Sequence, residues 1–324
     1  MSRPADAIAQ SAERRAAMIR SSKAAAAADA PPVLLVHAFC AAIWLLTVAT
    51  FWGPLRQVLS LSLNDDRYSH LIVIPLISAF LIYAKRREIF HGVRGRLRIG
   101  VPLVLLAIAL GWFFSRRLLA YQGDYQLSLV VLTVLLACCA GFLLCYGVEA
   151  FRPARFPLLF LLLTVPFPKA LMERVILVLQ IGTSNVLYAL FTLMGTPLFR
   201  QGFSFELPGL GIVIAEECSS IHSAWALFIT GLLVGHFFLR SLPAKVCLSL
   251  LTVPIAIFTN AVRIMTIWYL ATHVNINFLY GHLHRNGGIL FSLISLFVLL
   301  LSLWVLRRLE DRGSGPPAVA RQAP

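Results

Sequence analysis

The chain has 324 residues, 59% of them hydrophobic and only 13% charged, with a net charge of +14. Soluble domains carry roughly 25% charged residues, so a water-soluble fold is excluded; there is too little polar side chain to cover so much apolar surface. The basic residues fall in short stretches between apolar runs, as the positive-inside rule produces, and not on one face of an amphipathic helix. The composition therefore predicts an all-α polytopic membrane protein in contact with lipid, with no nucleic-acid partner.

Residues 1–30 mix arginine and serine with an alanine run and lead into Pro31-Pro32. They lack the apolar core and cleavage site of a signal peptide, which predicts a disordered cytoplasmic tail. Apolar runs follow at about 33–52, 69–84, 99–115, 126–147, 156–167, 171–195, 221–239, 246–271 and 286–306. A bilayer span needs about 20 residues, so the second and fifth borrow flanking residues. Residues 307–324 read as a polar cytoplasmic tail, which leaves 31–306 as one membrane domain.

Charge sets the expected orientation. Lys85, Arg86, Arg87, Arg94, Arg96 and Arg98 share one short loop, which belongs in the cytoplasm. The N-terminal arginines, Arg152 with Arg155, the Arg240–Lys245 turn and Arg307-Arg308 should lie on the same side. Alternation satisfies all of these only if 168–200 begins and ends on the outer face. Residues 171–195 are therefore expected to form an interfacial or re-entrant helix, which leaves about eight transmembrane helices. Pro166-Phe167-Pro168 and the polar Glu173, Arg174, Gln180, Thr183, Ser184 and Asn185 favour that reading. Next, the alternating Phe203, Phe205 and Leu207, a Pro208-Gly209 turn and Ile212-Val213-Ile214 predict a short β-hairpin on the outer face.

Cys40, Cys138, Cys139, Cys145 and Cys247 lie inside apolar runs and read as small hydrophobes, with no CxxC or zinc-type spacing. Cys218 differs. It sits in Ala215-Glu216-Glu217-Cys218-Ser219-Ser220-Ile221-His222, at the first turn of the helix through 221–239. The helix dipole there favours the thiolate, while Glu216 and Glu217 oppose it. The plainer reading is a buried cysteine beside the N-capping Ser219 and Ser220. Asn260 and Arg263 are spaced i, i+3 and share a helix face. An arginine deep in an apolar helix must face a polar cavity, reach the interface, or pair with a carboxylate such as Glu217. His284, at the outer start of the last helix, is a candidate for proton transfer. His222, one turn beyond Cys218, competes for that role and ranks second, as a substrate-contacting group. His273, His282 and His284 give only a weak metal-site signal.

In this order the residues resemble the exosortase/archaeosortase family of membrane cysteine transpeptidases. The resemblance rests on Ala215-Glu-Glu-Cys218-Ser219, Asn260-Ala-Val-Arg263 and His284-Arg-Asn-Gly-Gly288. It extends to Tyr68-Ser69-His70, Pro75, Lys85-Arg86-Arg87, Pro166-Phe-Pro168 and Leu179-Gln180, and so covers about 60–300. Ser220 and His222 depart from it, standing where many members carry glycine and arginine. The resemblance implies that Cys218 attacks a peptide bond near the C-terminal membrane anchor of an exported protein and forms a thioester. Arg263 would stabilise the oxyanion and His284 would carry the proton, with Glu217, Ser219, His222 and Asn260 binding substrate or supporting the site. It implies no cofactor, a bacterial inner-membrane location with the site toward the periplasm, and a link to extracellular polysaccharide production. Two other classes remain open: a small-solute transporter and a non-enzymatic membrane component of polysaccharide export. Both should tolerate loss of Cys218.

Overall fold

In hydrocarbon every backbone N–H and C=O must find its partner within the protein, and a helix does this within one segment. The computed structural model describes residues 33–91, 97–117, 125–215, 221–278 and 282–313, and among these nine long helices carry the fold. They are α1 (Val33–Thr50), α2 (Trp52–Asn64), α3 (His70–Ala84), α4 (Leu97–Arg117), α5 (Gln126–Phe160), α6 (Lys169–Leu193), α7 (Ile221–Phe238), α8 (Leu242–His273) and α9 (His282–Gly313). The all-α polytopic class is the one expected.

Among the described residues six helical runs are long and apolar enough to cross a bilayer, or seven if α1 and α2, bent by 77°, form one broken span. Three differences separate this from the eight expected, the first being that α6, expected to lie in the interface, is among the six. The runs at 126–147 and 156–167 are joined by a kink instead of a loop, because a second helix starts directly after Gly147. Gly147 has φ 79°, open to glycine at no steric cost, so the chain changes direction there without a loop. Arg152 and Arg155 are thus helical. In α4, a helix of 21 residues, the described apolar stretch is Gly100–Phe114.

The chain divides into two compact units. In the first (residues up to Ser60 and Leu71–Pro166), Cys40, Ile89, Phe142, Cys145, Tyr146, Ala150, Ala154 and Leu158 are buried together. Here α4 meets α5 so closely that a Cβ on Gly100 would run into the Leu144 backbone. Small residues at such crossings let backbones approach.

The second unit comprises Leu61–His70 and the chain from Phe167 onward. The length and hydropathy of α6 are those of a span. Its start is nevertheless tied to Tyr68, whose hydroxyl donates to the Phe167 carbonyl at 3.0 Å, and to Trp225, 5.2 Å from the Phe167 ring. Near its other end Phe191 packs edge-on against Trp268.

After α6 comes an antiparallel sheet of β1 (Phe199–Gln201), β2 (Ser204–Leu207) and β3 (Leu210–Val213), in that order. It is two successive hairpins, with positive-φ Gly202 and Gly209 in the two turns. Phe205 and Leu207 turn inward onto Leu187, Phe191, Ala261 and Trp268. At the opposite end of the unit Ser241 caps α8, accepting from the Ala244 N–H. The Glu310 carboxylate, from the start of the expected tail, accepts from the Arg240 and Ser241 N–H groups at 3.0 and 2.8 Å and from the Ser241 hydroxyl.

Candidate functional site

Asn260 sits mid-way along α8, 4% exposed, and its Nδ2 donates to Thr183 Oγ1 on α6 at 3.3 Å. One turn on, Arg263 shares that face, as the i, i+3 spacing requires. Thr259 Oγ1 lies 2.7 Å from Ser295 Oγ on α9, and Ser292 Oγ donates to Ser223 Oγ on α7 at 3.2 Å. These hydroxyls, Asn260 and Arg263, with Ala256 and Phe291, line a cavity of about 20 Å³ between α7, α8 and α9. That volume admits about one water. Arg263 thus lines a polar cavity, one of the alternatives open for it from sequence, while Glu217 lies outside the described residues. Among these lining groups Arg263 is the cation, and an ionisable residue inside a membrane helix marks a candidate functional site.

Cys218, Glu217 and Ser219 lie outside the described residues, as does the side chain of His284. Their sequence neighbours are described. Ser223, five residues after Cys218, and Ser292, about two turns after His284, both stand on the cavity wall. The structure thus brings Arg263 and Asn260 together with α7, which begins three residues after Cys218, and with α9, whose first turn includes His284.

His222 is exposed at the start of α7, and its Nδ1 lies 3.0 Å from Ser69 Oγ and 3.2 Å from the Asp66 carbonyl oxygen. Ser69 donates its own proton to that carbonyl at 3.0 Å, so its oxygen is left to accept. Both partners therefore require a proton on Nδ1. In a neutral imidazole this leaves the lone pair on Nε2. The Leu61–His70 segment is itself firmly held. Ser62 donates to the Tyr68 carbonyl at 2.9 Å, and Asp65 caps the Asp66–Tyr68 turn while binding the Arg67 guanidinium. That hydrogen bond holds the Asp65 carboxyl below its usual range. The His70 ring stacks on Trp225, 4.6 Å away.

Tyr68-Ser69-His70 therefore grips the first turns of α7, the helix that follows Cys218. Sequence reading gave Ser69, His70 and Trp225 no role. No local spacing signals a contact between residues 153 positions apart, and the motif is marked in the sequence only by its place in the family resemblance, without a partner. His273, at the end of α8, bonds Thr272 Oγ1 at 2.8 Å and stacks on Tyr269. It is remote in role from the Arg263 cavity, whose walls it does not join.

No curated protein and no solved structure matches the chain. The transmembrane exosortase family model matches residues 62–301, most of the chain, an interval that holds Tyr68-Ser69-His70, Cys218, Asn260, Arg263 and His284. With that match, and with polar residues of the matched interval gathered on one cavity wall inside an apolar helical unit, this multi-pass membrane protein belongs to the transmembrane exosortases, a family of proteases and transpeptidases.

Proposed function

We propose that the chain is a membrane cysteine protease or transpeptidase that cleaves the C-terminal sorting signal of exported, membrane-anchored proteins. The observation that carries the reading is the Arg263–Asn260 wall of the cavity between α7, α8 and α9, within an exosortase chain. In this reading the Cys218 thiol passes its proton to His284, and the thiolate attacks the scissile carbonyl carbon. The oxyanion that forms is held by the Arg263 guanidinium, whose planar fork offers it two N–H donors. The C–N bond breaks, and the departing amine takes the proton from the His284 imidazolium. The acyl group is left on sulfur as a thioester. An amine or water then attacks that carbonyl, gives its proton to His284, and the C–S bond breaks to return the thiolate.

Glu217, Ser219, His222 and Asn260 serve as substrate-contacting or supporting groups in this scheme. The membrane is the bacterial inner membrane, with the site on the periplasmic side and a physiological link to extracellular polysaccharide production. A substrate that carries its own transmembrane helix arrives at the depth of the cavity by lateral diffusion. The test is Cys218→Ala in cells expressing tagged exported proteins that end in a transmembrane anchor. Loss of the processed form is expected, and undiminished processing by the variant would overturn the cysteine mechanism.

A further inference from the structure

The strand that leads to Cys218 has an open edge. Among the described residues β3 pairs with β2 alone. The two-residue Pro208-Gly209 turn makes Leu207 and Leu210 the closing pair of this hairpin. Along an antiparallel ladder, opposed residues alternate between exchanging both hydrogen bonds and exchanging none. Leu210 and Ile212 therefore bond to β2, and the Ile214 N–H continues the same phase by donating to the Phe203 carbonyl at 3.0 Å. Gly211 and Val213 turn their N–H and C=O groups the other way. The Val213 carbonyl accepts from Ala215 at 3.1 Å, so the N–H and C=O of Gly211 and the N–H of Val213 remain along the free edge.

That edge is exposed and undefended. Gly211 is exposed, and Val213 is 64% exposed. Proteins usually blunt such edges with charge, proline or a bulge. The other edge of this sheet follows the rule, since Arg200 on β1 donates to the Asn185 side chain and to the Gly202 carbonyl. Leu210-Gly211-Ile212-Val213 carries no charge and no proline, and glycine at an edge lets another backbone come close. The strand is also pinned where it leaves the sheet, with Gln180 Nε2 donating to the Ile214 carbonyl at 3.1 Å.

We propose that the β3 edge is the substrate-docking surface, on which an extended polypeptide segment lies as a fourth strand. This inference rests on the protease reading above. The occupant is the stretch of an exported protein just before its membrane anchor, because Val213 is five residues from Cys218. That separation spans at most about 17 Å, so a strand paired with Gly211 and Val213 ends within reach of the thiol. Main-chain pairing of this kind binds many sequences and leaves selection to side-chain contacts.

The experiment uses the full chain in its membrane with an epitope-tagged exported protein that ends in a transmembrane anchor and that the wild type processes. Gly211→Pro removes the outward N–H and leaves the bonds from Leu210 and Ile212 to β2 in place. A Cβ at this position meets only the Phe205 carbonyl oxygen at 3.7 Å. The expected result is a slowing of at least about tenfold, the loss of one well-made hydrogen bond with its partner left unsatisfied. In a second arm, a photo-crosslinking residue at position 213 in the Cys218→Ala background should capture the tagged protein, and one at position 200 should not. Wild-type processing by Gly211→Pro, capture from 200 instead of 213, or adducts from 213 joining only two copies of the chain would each overturn the proposal. If Gly211→Pro fails to accumulate, the capture arm decides. Processing that survives Cys218→Ala sinks the cysteine mechanism instead, and capture at 213 still tests the edge.

Discussion

Replacing Arg263 by lysine separates an oxyanion-binding arginine from one that merely occupies the interface. Both side chains are cationic, so any role resting on charge at that depth survives the exchange. What lysine lacks is the planar fork of donors. The cavity on which Arg263 lies has room for about one water, so a water fills the space the guanidinium vacates and the ammonium contacts the oxyanion through it. Loss of one preorganised oxyanion donor costs about 2.7–4 kcal/mol, a factor of about 10² to 10³ in rate. Lysine keeps the Coulombic part, so the lower end applies, about a hundredfold. The assay is the initial rate at which the cleaved form of a tagged, anchored substrate appears in membranes, normalised to the amount of variant present. A rate within about threefold of wild type, or less than about 0.7 kcal/mol, would refute the oxyanion role and leave Arg263 as a helix anchor.

Four further outcomes follow from named contacts. His222→Arg should keep at least half of wild-type processing, since arginine donates to the same Ser69 oxygen and Asp66 carbonyl; abolished processing would move the proton shuttle from His284 to His222, because arginine offers no lone pair. Glu310→Ala strips the α8 start of three hydrogen bonds to a carboxylate. It should lower stability in detergent by about 1–2 kcal/mol while leaving processing intact at low temperature, and an unchanged melting curve would count against the cap. Gly100→Ala places a methyl against the Leu144 backbone, and overpacking of that kind costs about 1–3 kcal/mol; a melting temperature equal to wild type would show that α4 and α5 do not pack so closely. Cysteine introduced at Phe199 should react with a membrane-impermeant reagent applied from the periplasmic side, and labelling only after the cytoplasm is opened would reverse the proposed orientation.

The sequence by itself determined the class of the fold and half of the cavity. Apolar runs of span length have one way to satisfy their backbones in lipid, so helices at 69–84, 221–239, 246–271 and 286–306 follow from composition. The period-two alternation of Phe203, Phe205 and Leu207 marks a strand for the same kind of reason, since only one face of the sheet is buried. Asn260 and Arg263 declare their shared face through local geometry, three residues apart on a helix. Tertiary structure alone decided what meets that face. Ser223, Ser292 and Ser295 are single hydroxyls in apolar helices, and such residues usually satisfy themselves by bonding the carbonyl one turn back, as Ser295 does to Phe291. Nothing local distinguishes one that lines a cavity. The loop expected around Arg152 and Arg155 is instead helix, entered through a kink at Gly147 that only glycine's backbone freedom allows. The grip of Tyr68-Ser69-His70 on α7 and the Glu310 cap are likewise contacts between segments far apart in the chain. They depend on which partner the completed fold brings alongside, a quantity that hydrophobic periodicity, being local, does not encode.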